Sequence, residues 1–190
     1  MRLEVKFSGT SVAAYAGKVG QFGRDAIPTG VAELNSRGGI MRQGLAGVLT
    51  DQTGLKRSVL NRALKERKAT AGTPVYEILA TGGNISLSHF KARETPEGVS
   101  AAPWNQRQTY GGTFMKAGWW PNRVAKPSWH GQVFRRAGGK TSTGMAKFIK
   151  VKSGLFIGEE LVKGEALAFF EQASEQIGLA VVRAMEAKLP

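Results

Sequence analysis

The polar and apolar positions of the chain change period along its length, and each change predicts an element. Residues Met1 to Phe7 alternate polar and apolar side chains, the two-residue period of a strand. From Val31 to Lys68 the apolar residues Val31, Leu34, Met41, Leu45, Val48, Leu49, Leu55, Val59, Leu60 and Leu64 recur at three- and four-residue steps, which predicts helix. The run Asp51-Gln-Thr-Gly54 interrupts this stripe, so Thr53 is expected to cap a second helix over 55–68. Its outward positions would carry Lys56, Arg57, Arg62, Lys65, Arg67 and Lys68, an amphipathic basic face.

Beyond this region the runs shorten. Pro74–Ala80 and Asn84–Phe90, separated by Gly82-Gly83, predict a strand pair, and further strands are expected at Gly98–Ala102, Gly112–Lys116, Gln132–Arg135 and Phe148–Lys152. Glu159 and Glu160 suit the positive end of a helix dipole. Leu161, Leu167, Phe169, Phe170, Ile177, Val181, Val182 and Met185 then give that helix, expected over 159–188, its apolar surface. The class predicted is α+β: an N-terminal strand and helices, a mixed or antiparallel sheet with long glycine-rich loops, and a C-terminal helix. A chain of 190 residues is expected to form a single domain, with an arm over 1–30, a helical region over 31–70, a β-rich basic region over 74–157 and the terminal helix. Pro28 and the pairs Gly38-Gly39, Gly82-Gly83, Gly111-Gly112 and Gly138-Gly139 punctuate this order as turns or loops.

Charge sharpens the picture. Lys and Arg number 27 against 14 Asp and Glu, a formal net charge of +13. The excess is concentrated: residues 98–158 hold 10 basic side chains and no carboxylate, whereas residues 159–190 hold 3 basic and 6 acidic ones. An anionic partner is therefore expected for the middle of the chain, whether nucleic acid, an acidic protein face or a charged surface. The N-terminus lacks the apolar core and cleavage site of a signal peptide and reads as mature sequence, and no apolar run approaches the roughly 20 residues of a membrane span.

Candidate catalytic chemistry is sparse. With no cysteine there is no thiolate nucleophile, disulfide or thiolate zinc site, and His89 and His130 are the only imidazoles. Asp51, Glu66, Glu77, Glu94 and Glu97 stand in no acid–base spacing. Gly139-Lys140-Thr141 lacks the phosphate loop's earlier glycine, since Phe134 occupies that position, and no Gly-x-Ser-x-Gly elbow occurs. No catalytic residue, metal site or cofactor is predicted. The basic helix and the aromatics Trp104, Tyr110, Trp119, Trp120, Trp129 and Phe134 would suit a nucleic-acid binder, by counterion release and base stacking. They suit equally a subunit that assembles onto acidic neighbours, with the tryptophans as core or interface anchors.

The order of the blocks adds a resemblance. The helix Thr53-Gly-Leu-Lys-Arg-Ser-Val-Leu-Asn-Arg-Ala-Leu-Lys-Glu-Arg-Lys-Ala-Thr70 is followed by Ile85-Ser-Leu-Ser-His-Phe-Lys-Ala-Arg93, Glu97-Gly-Val-Ser100, Gly111-Gly-Thr-Phe-Met115 and His130-Gly-Gln-Val-Phe-Arg-Arg136. This succession resembles the minor tail protein Z family, the tail completion proteins of lambda-like tailed bacteriophages, over residues 30–160. The resemblance implies a non-enzymatic virion protein of the tail or neck, assembled in the host cytoplasm, that caps the tail tube and enables head–tail joining. It also implies a ring, hexameric to match the tube, around the DNA channel. The implied partners are further copies of the chain, tail tube and sheath proteins, head-completion or connector proteins and genomic DNA, with no membrane. Within such a ring, Arg123, Lys126, Arg135, Arg136, Lys140, Lys147, Lys150 and Lys152 are candidates for channel or ring contacts. The helix bearing Lys56, Arg57, Arg62, Lys65, Arg67 and Lys68 is a candidate docking face, and Glu159, Glu160 and Glu165 are candidates for contact with a neighbour's basic middle. The alternative is a sequence-nonspecific nucleic-acid-binding protein; a tail-borne cell-wall hydrolase is a weaker third reading because its acid, base or metal ligands cannot be identified.

Overall fold

The computed structural model describes residues 2–6, 23–142, 144 and 146–188. In chain order the elements are β1 (Arg2–Lys6), α1 (Gly23–Thr53), α2 (Arg57–Ala63), β2 (Leu64–Arg67), β3 (Val75–Ala80), β4 (Arg93–Thr95), β5 (Gly98–Ala101), β6 (Gln108–Gly111), β7 (Thr113–Phe114), β8 (Phe134–Lys140), β9 (Ala146–Lys150), α3 (Ile157–Leu161) and α4 (Gly164–Glu186). The fold is α+β, and its strands form three antiparallel three-stranded sheets, β1-β3-β2, β4-β5-β6 and β7-β8-β9. Where the sequence suggests four consecutive regions, the chain divides into two compact units built from separated stretches: 1–49, 57–81 and 158–190 in the first, 50–56 and 82–157 in the second. Of the arm expected over 1–30, residues 1 and 7–22 lie outside the described residues. No described helix is long and apolar enough to cross a membrane.

In the first unit, the stripe Leu34, Met41, Leu45 and Leu49 is buried as its helical spacing predicts. Glycines on α1 set how closely its neighbours approach. A Cβ at Gly38 would lie 2.7 Å from three ring carbons of Tyr76 on β3, and one at Gly44 would lie 2.5 Å from the Phe169 ring on α4. These glycines lower helix propensity by roughly 1 kcal/mol each relative to alanine, a cost offset here by ring packing against bare backbone. Pro28 does not divide the chain as expected: it lies inside α1, which begins at Gly23. The helix stops at Gly54, whose φ of 77° only glycine adopts cheaply.

Four sequence expectations change. The predicted helix over 55–68 is cut to α2, and the chain continues as β2, whose Glu66 sits opposite Ile78 and Arg67 opposite Glu77. Thr53 does not cap α2; it belongs to the last turn of α1, where its hydroxyl accepts from the Leu55 N–H at 3.3 Å. Asn84–Phe90 is no strand: the Ser86 hydroxyl accepts from the Ser88 N–H and closes a 3₁₀ turn over Leu87–His89, which buries Leu87 and Phe90. The terminal helix is split between α3 and α4, with Gly164 at φ 59° after the break.

A polar network stitches β2 to α1. The Tyr76 hydroxyl donates to Glu66, Arg42 approaches Glu66 at 3.5 Å and donates to the Leu64 carbonyl at 3.1 Å, and Asn35 exchanges two hydrogen bonds with the Ala69 backbone. Burial, and then the hydrogen bond to Glu66, raise the Tyr76 phenol above its ordinary value. The native state therefore holds this proton more tightly than the unfolded chain does. That stability is fully present below the unfolded pKa of about 10 and is lost as pH rises above it. Tyr76→Phe is expected to lose about 1 kcal/mol at neutral pH and to show a shallower alkaline loss than the native chain. Denaturant unfolding of both proteins at about pH 8 and pH 11 checks this, and parallel losses would contradict it.

Candidate functional site

Residues 98–157 of the carboxylate-free stretch belong to the second unit, and they build an arm. Strands β8 and β9 pair antiparallel with Phe134 opposite Lys150, Arg135 opposite Ile149 and Arg136 opposite Phe148. Apart from the half-buried Phe134 at its root, every residue of the two strands is exposed. Opposed residues share a face and successive residues alternate, so the hairpin has two distinct sides. One side carries Phe134, Arg136, Phe148 and Lys150; the other carries Arg135, Lys147 and Ile149. Toward the tip the register shifts, Gly138 and Gly139 taking φ of 73° and 71°, and Lys140 comes to stand opposite Ala146.

The first side is anchored by aromatics. Phe114 on β7 meets Phe148 edge-on at 5.0 Å between centroids, Trp129 lies 5.1 Å from Phe134, and Phe114 and Trp129 are 5.8 Å apart. The Arg136 guanidinium sits 5.4 Å from the Trp119 ring centre, 5.7 Å from Phe148 and 5.8 Å from Phe114. Such geometry is worth roughly 0.5–2 kcal/mol per cation–π pair. Beside it opens a cleft of about 360 Å³ lined by Lys116, Trp119, Arg123, Trp129 and Arg136 among others. The platform beneath is tied to β5: the Thr113 hydroxyl accepts from the Val99 N–H at 3.0 Å and donates to the Tyr110 carbonyl at 2.6 Å.

The candidate cations fall into different situations. Arg123, whose side chain is 21% exposed at the cleft, pairs with Glu94, whose side chain is 4% exposed. Arg136 is engaged by the rings. Arg135, Lys140, Lys147 and Lys150 are exposed on the hairpin, and Lys126 and Lys152 are exposed outside it. The predicted docking helix does not exist as one face. Lys56 precedes α2, only Arg57 and Arg62 belong to it, Lys65 and Arg67 lie on β2, and Lys68 follows. Of these, Arg57 donates to the Gln43 carbonyl, Arg62 to the Ser58 carbonyl, and Arg67 pairs with the buried Glu77 at 3.1 Å.

Among the acidic candidates, Glu159 and Glu165 are exposed, but Glu160 is 2% exposed and bonded to Lys163 at 2.8 Å, so it is not a surface charge. That hydrogen bond holds the Lys163 ammonium above its ordinary pKa. The helix α4 also corrects the expected apolar face. Ala166, Phe170, Ile177, Val181 and Met185 turn inward, whereas Val182, expected on that face, is 37% exposed; Leu179, outside the expected face, is 57% exposed. Periodicity could have found this, because Val181 and Val182 cannot both face the core.

The carboxylates weighed for catalysis are engaged elsewhere or lie apart: Glu66 with Tyr76 and Arg42, Glu77 with Arg67, Glu94 with Arg123, and Glu97 with the Thr95 hydroxyl. His89 and His130 are exposed, and among the described residues no three His, Asp or Glu side chains cluster as metal ligands. What the arrangement offers is an exposed cationic hairpin rooted on a cluster of aromatic rings. No family model, curated protein or solved structure matches the chain.

Proposed function

We propose that this chain is a non-enzymatic structural subunit of a tailed-bacteriophage virion, a tail completion or tail terminator protein at the head–tail neck that assembles as a ring around the DNA channel. The observation that carries this reading is the β8–β9 arm, exposed along both strands and drawn from a 61-residue stretch without a carboxylate. A cyclic ring needs two different faces on each subunit, and an exposed hairpin supplies one of them. The ordered blocks of sequence that resemble the minor tail protein Z family favour the neck as the place of assembly. Arg135, Lys140, Lys147 and Lys150 on the hairpin, with Lys126 and Lys152 outside it, are exposed cations available to DNA phosphates or to an acidic neighbouring ring; Arg123 and Arg136 serve the arm's own foundation.

The cleft beside Trp119, where aromatic rings and cations adjoin, favours sequence-nonspecific nucleic-acid binding as the second reading. Light scattering of the purified chain at low and high salt, with nonspecific DNA and with isolated tail tubes, separates the two. The neck reading expects a discrete ring, alone or on tail tubes. A stable monomer that ignores tubes and binds DNA with a steep salt dependence, a slope near 0.9 per phosphate contact, would replace it with the nucleic-acid reading.

A further inference from the structure

We propose that the outward side of the β8–β9 hairpin docks on the outer face of helix α4 of a second copy of the chain, an inference that rests on the reading of the protein as a ring subunit. Glu171, Glu175, Leu179 and Val182 follow one another at four-, four- and three-residue steps, which places them within one quarter of the helix circumference. All four are exposed, the aliphatic pair at 57% and 37%. Two carboxylates four residues apart repel each other, which costs an isolated helix about 0.2–0.5 kcal/mol, and a cationic neighbour reverses the sign. Two exposed aliphatics one turn further on give the same face an apolar half.

The hairpin offers the complement. Its first side is taken by Phe114, Trp129 and Trp119 of the same unit, so the side with Arg135, Lys147 and Ile149 is the one left open. Ile149 is 41% exposed, with Arg135 directly across the ladder and Lys147 about 7 Å along the strand. Helix face and hairpin side therefore each present two like charges and an aliphatic group, of opposite sign and comparable reach. In the contact, Arg135 and Lys147 meet Glu171 and Glu175 while Ile149 covers Leu179 and Val182. Because the reaching and receiving faces differ, the contact is head-to-tail, the kind from which a ring closes.

A charge exchange on the full-length chain tests it. Glu171→Lys with Glu175→Lys, and separately Arg135→Glu with Lys147→Glu, are expected to weaken self-association about tenfold or more in concentration-dependent light scattering, with unfolding midpoints near that of the native chain. Equimolar mixing of the two variants juxtaposes swapped charges at alternate contacts, and the chain carrying all four substitutions is expected to associate within about threefold of the native protein. If either reversal leaves association unchanged, or the fourfold variant stays as weak as the twofold ones, the contact is overturned while the ring stands. A native chain that remains monomeric at every concentration and on tail tubes overturns ring and contact together. Loss of DNA binding with unchanged association in the Arg135→Glu, Lys147→Glu chain would assign that side to nucleic acid instead. Ile149→Ser supplies an uncharged check, expected to weaken association without altering its salt dependence.

Discussion

Replacing Arg123 by alanine is expected to destabilise the second unit by about 3–5 kcal/mol, the range found when one partner of a buried ion pair is removed. Its carboxylate partner, Glu94, is 4% exposed, and the second Glu94 oxygen has no hydrogen-bond partner, so nothing else compensates that charge once the guanidinium is gone. The pair joins β4 to the loop that carries Trp119; the loop's ends are themselves tied by Ala117 N–H to Val124 C=O at 2.9 Å and the reciprocal bond at 2.8 Å. Arg123→Ala should therefore lower the unfolding midpoint by about 10 °C and release Trp119, already 78% exposed, from Arg136, visible as a change in tryptophan fluorescence intensity. Pairing it with Glu94→Leu removes the orphaned charge, and the double variant is expected to recover most of the loss, because an apolar substitute for a buried pair is often neutral. An Arg123→Ala protein as stable as the native one would mean that the pair is solvated and that Arg123 is available to a partner after all.

How much of this was legible in the sequence follows from which residues interact over short distances and which over long ones. The stripe of α1 and the alternation of β1 are local patterns, and both elements are present; so are strands near 98–102 and 132–135 and helix through most of 159–188. Strand β2 is different, because Leu60 and Leu64 satisfy a helical step of four and are also both fully buried when the chain turns into a strand between them. Nothing in the window separates the two readings. The decision is made by β3, which pairs with Leu64–Arg67, and by Arg42, twenty-two residues away in sequence from Leu64. The same holds for the site. A run without carboxylates marks the cationic middle at once, but that Arg123 is paired depends on Glu94, twenty-nine residues earlier, and that the exposed Arg136 lies over aromatic rings depends on three separate segments. Charge composition thus located the arm, whereas only tertiary pairing sorted its free cations from its structural ones.

The root of that arm makes the second large effect a backbone matter. Gly98 opens β5 at φ 153°, and a Cβ there would come to 2.2 Å from the Tyr110 carbonyl oxygen and 3.0 Å from its carbon. Those atoms belong to β6, which pairs with β5 from Gly98 opposite Gly111 to Ala101 opposite Gln108, so they cannot swing aside as a side chain would. Gly98→Ala must push the two strands apart or force alanine out of the conformation glycine adopts, and either is expected to cost about 2–4 kcal/mol. The damage should reach further than one ladder. Tyr110 O and Val99 N–H, the groups on either side of the clash, are the two that hold the Thr113 hydroxyl, and Thr113 and Phe114 form the strand on which β8 is laid. Separating β5 from β6 therefore loosens the base of the cationic hairpin, and loss of near-ultraviolet circular dichroism from the Phe114–Trp129 cluster should accompany the loss of stability. Gly111→Ala is the control: it stands opposite Gly98 in the same ladder, but a Cβ there meets nothing within 4 Å. Its effect should stay within about 0.5 kcal/mol by denaturant unfolding. If the two substitutions prove equal, the close approach of β5 to β6 is not what sets the position of the arm.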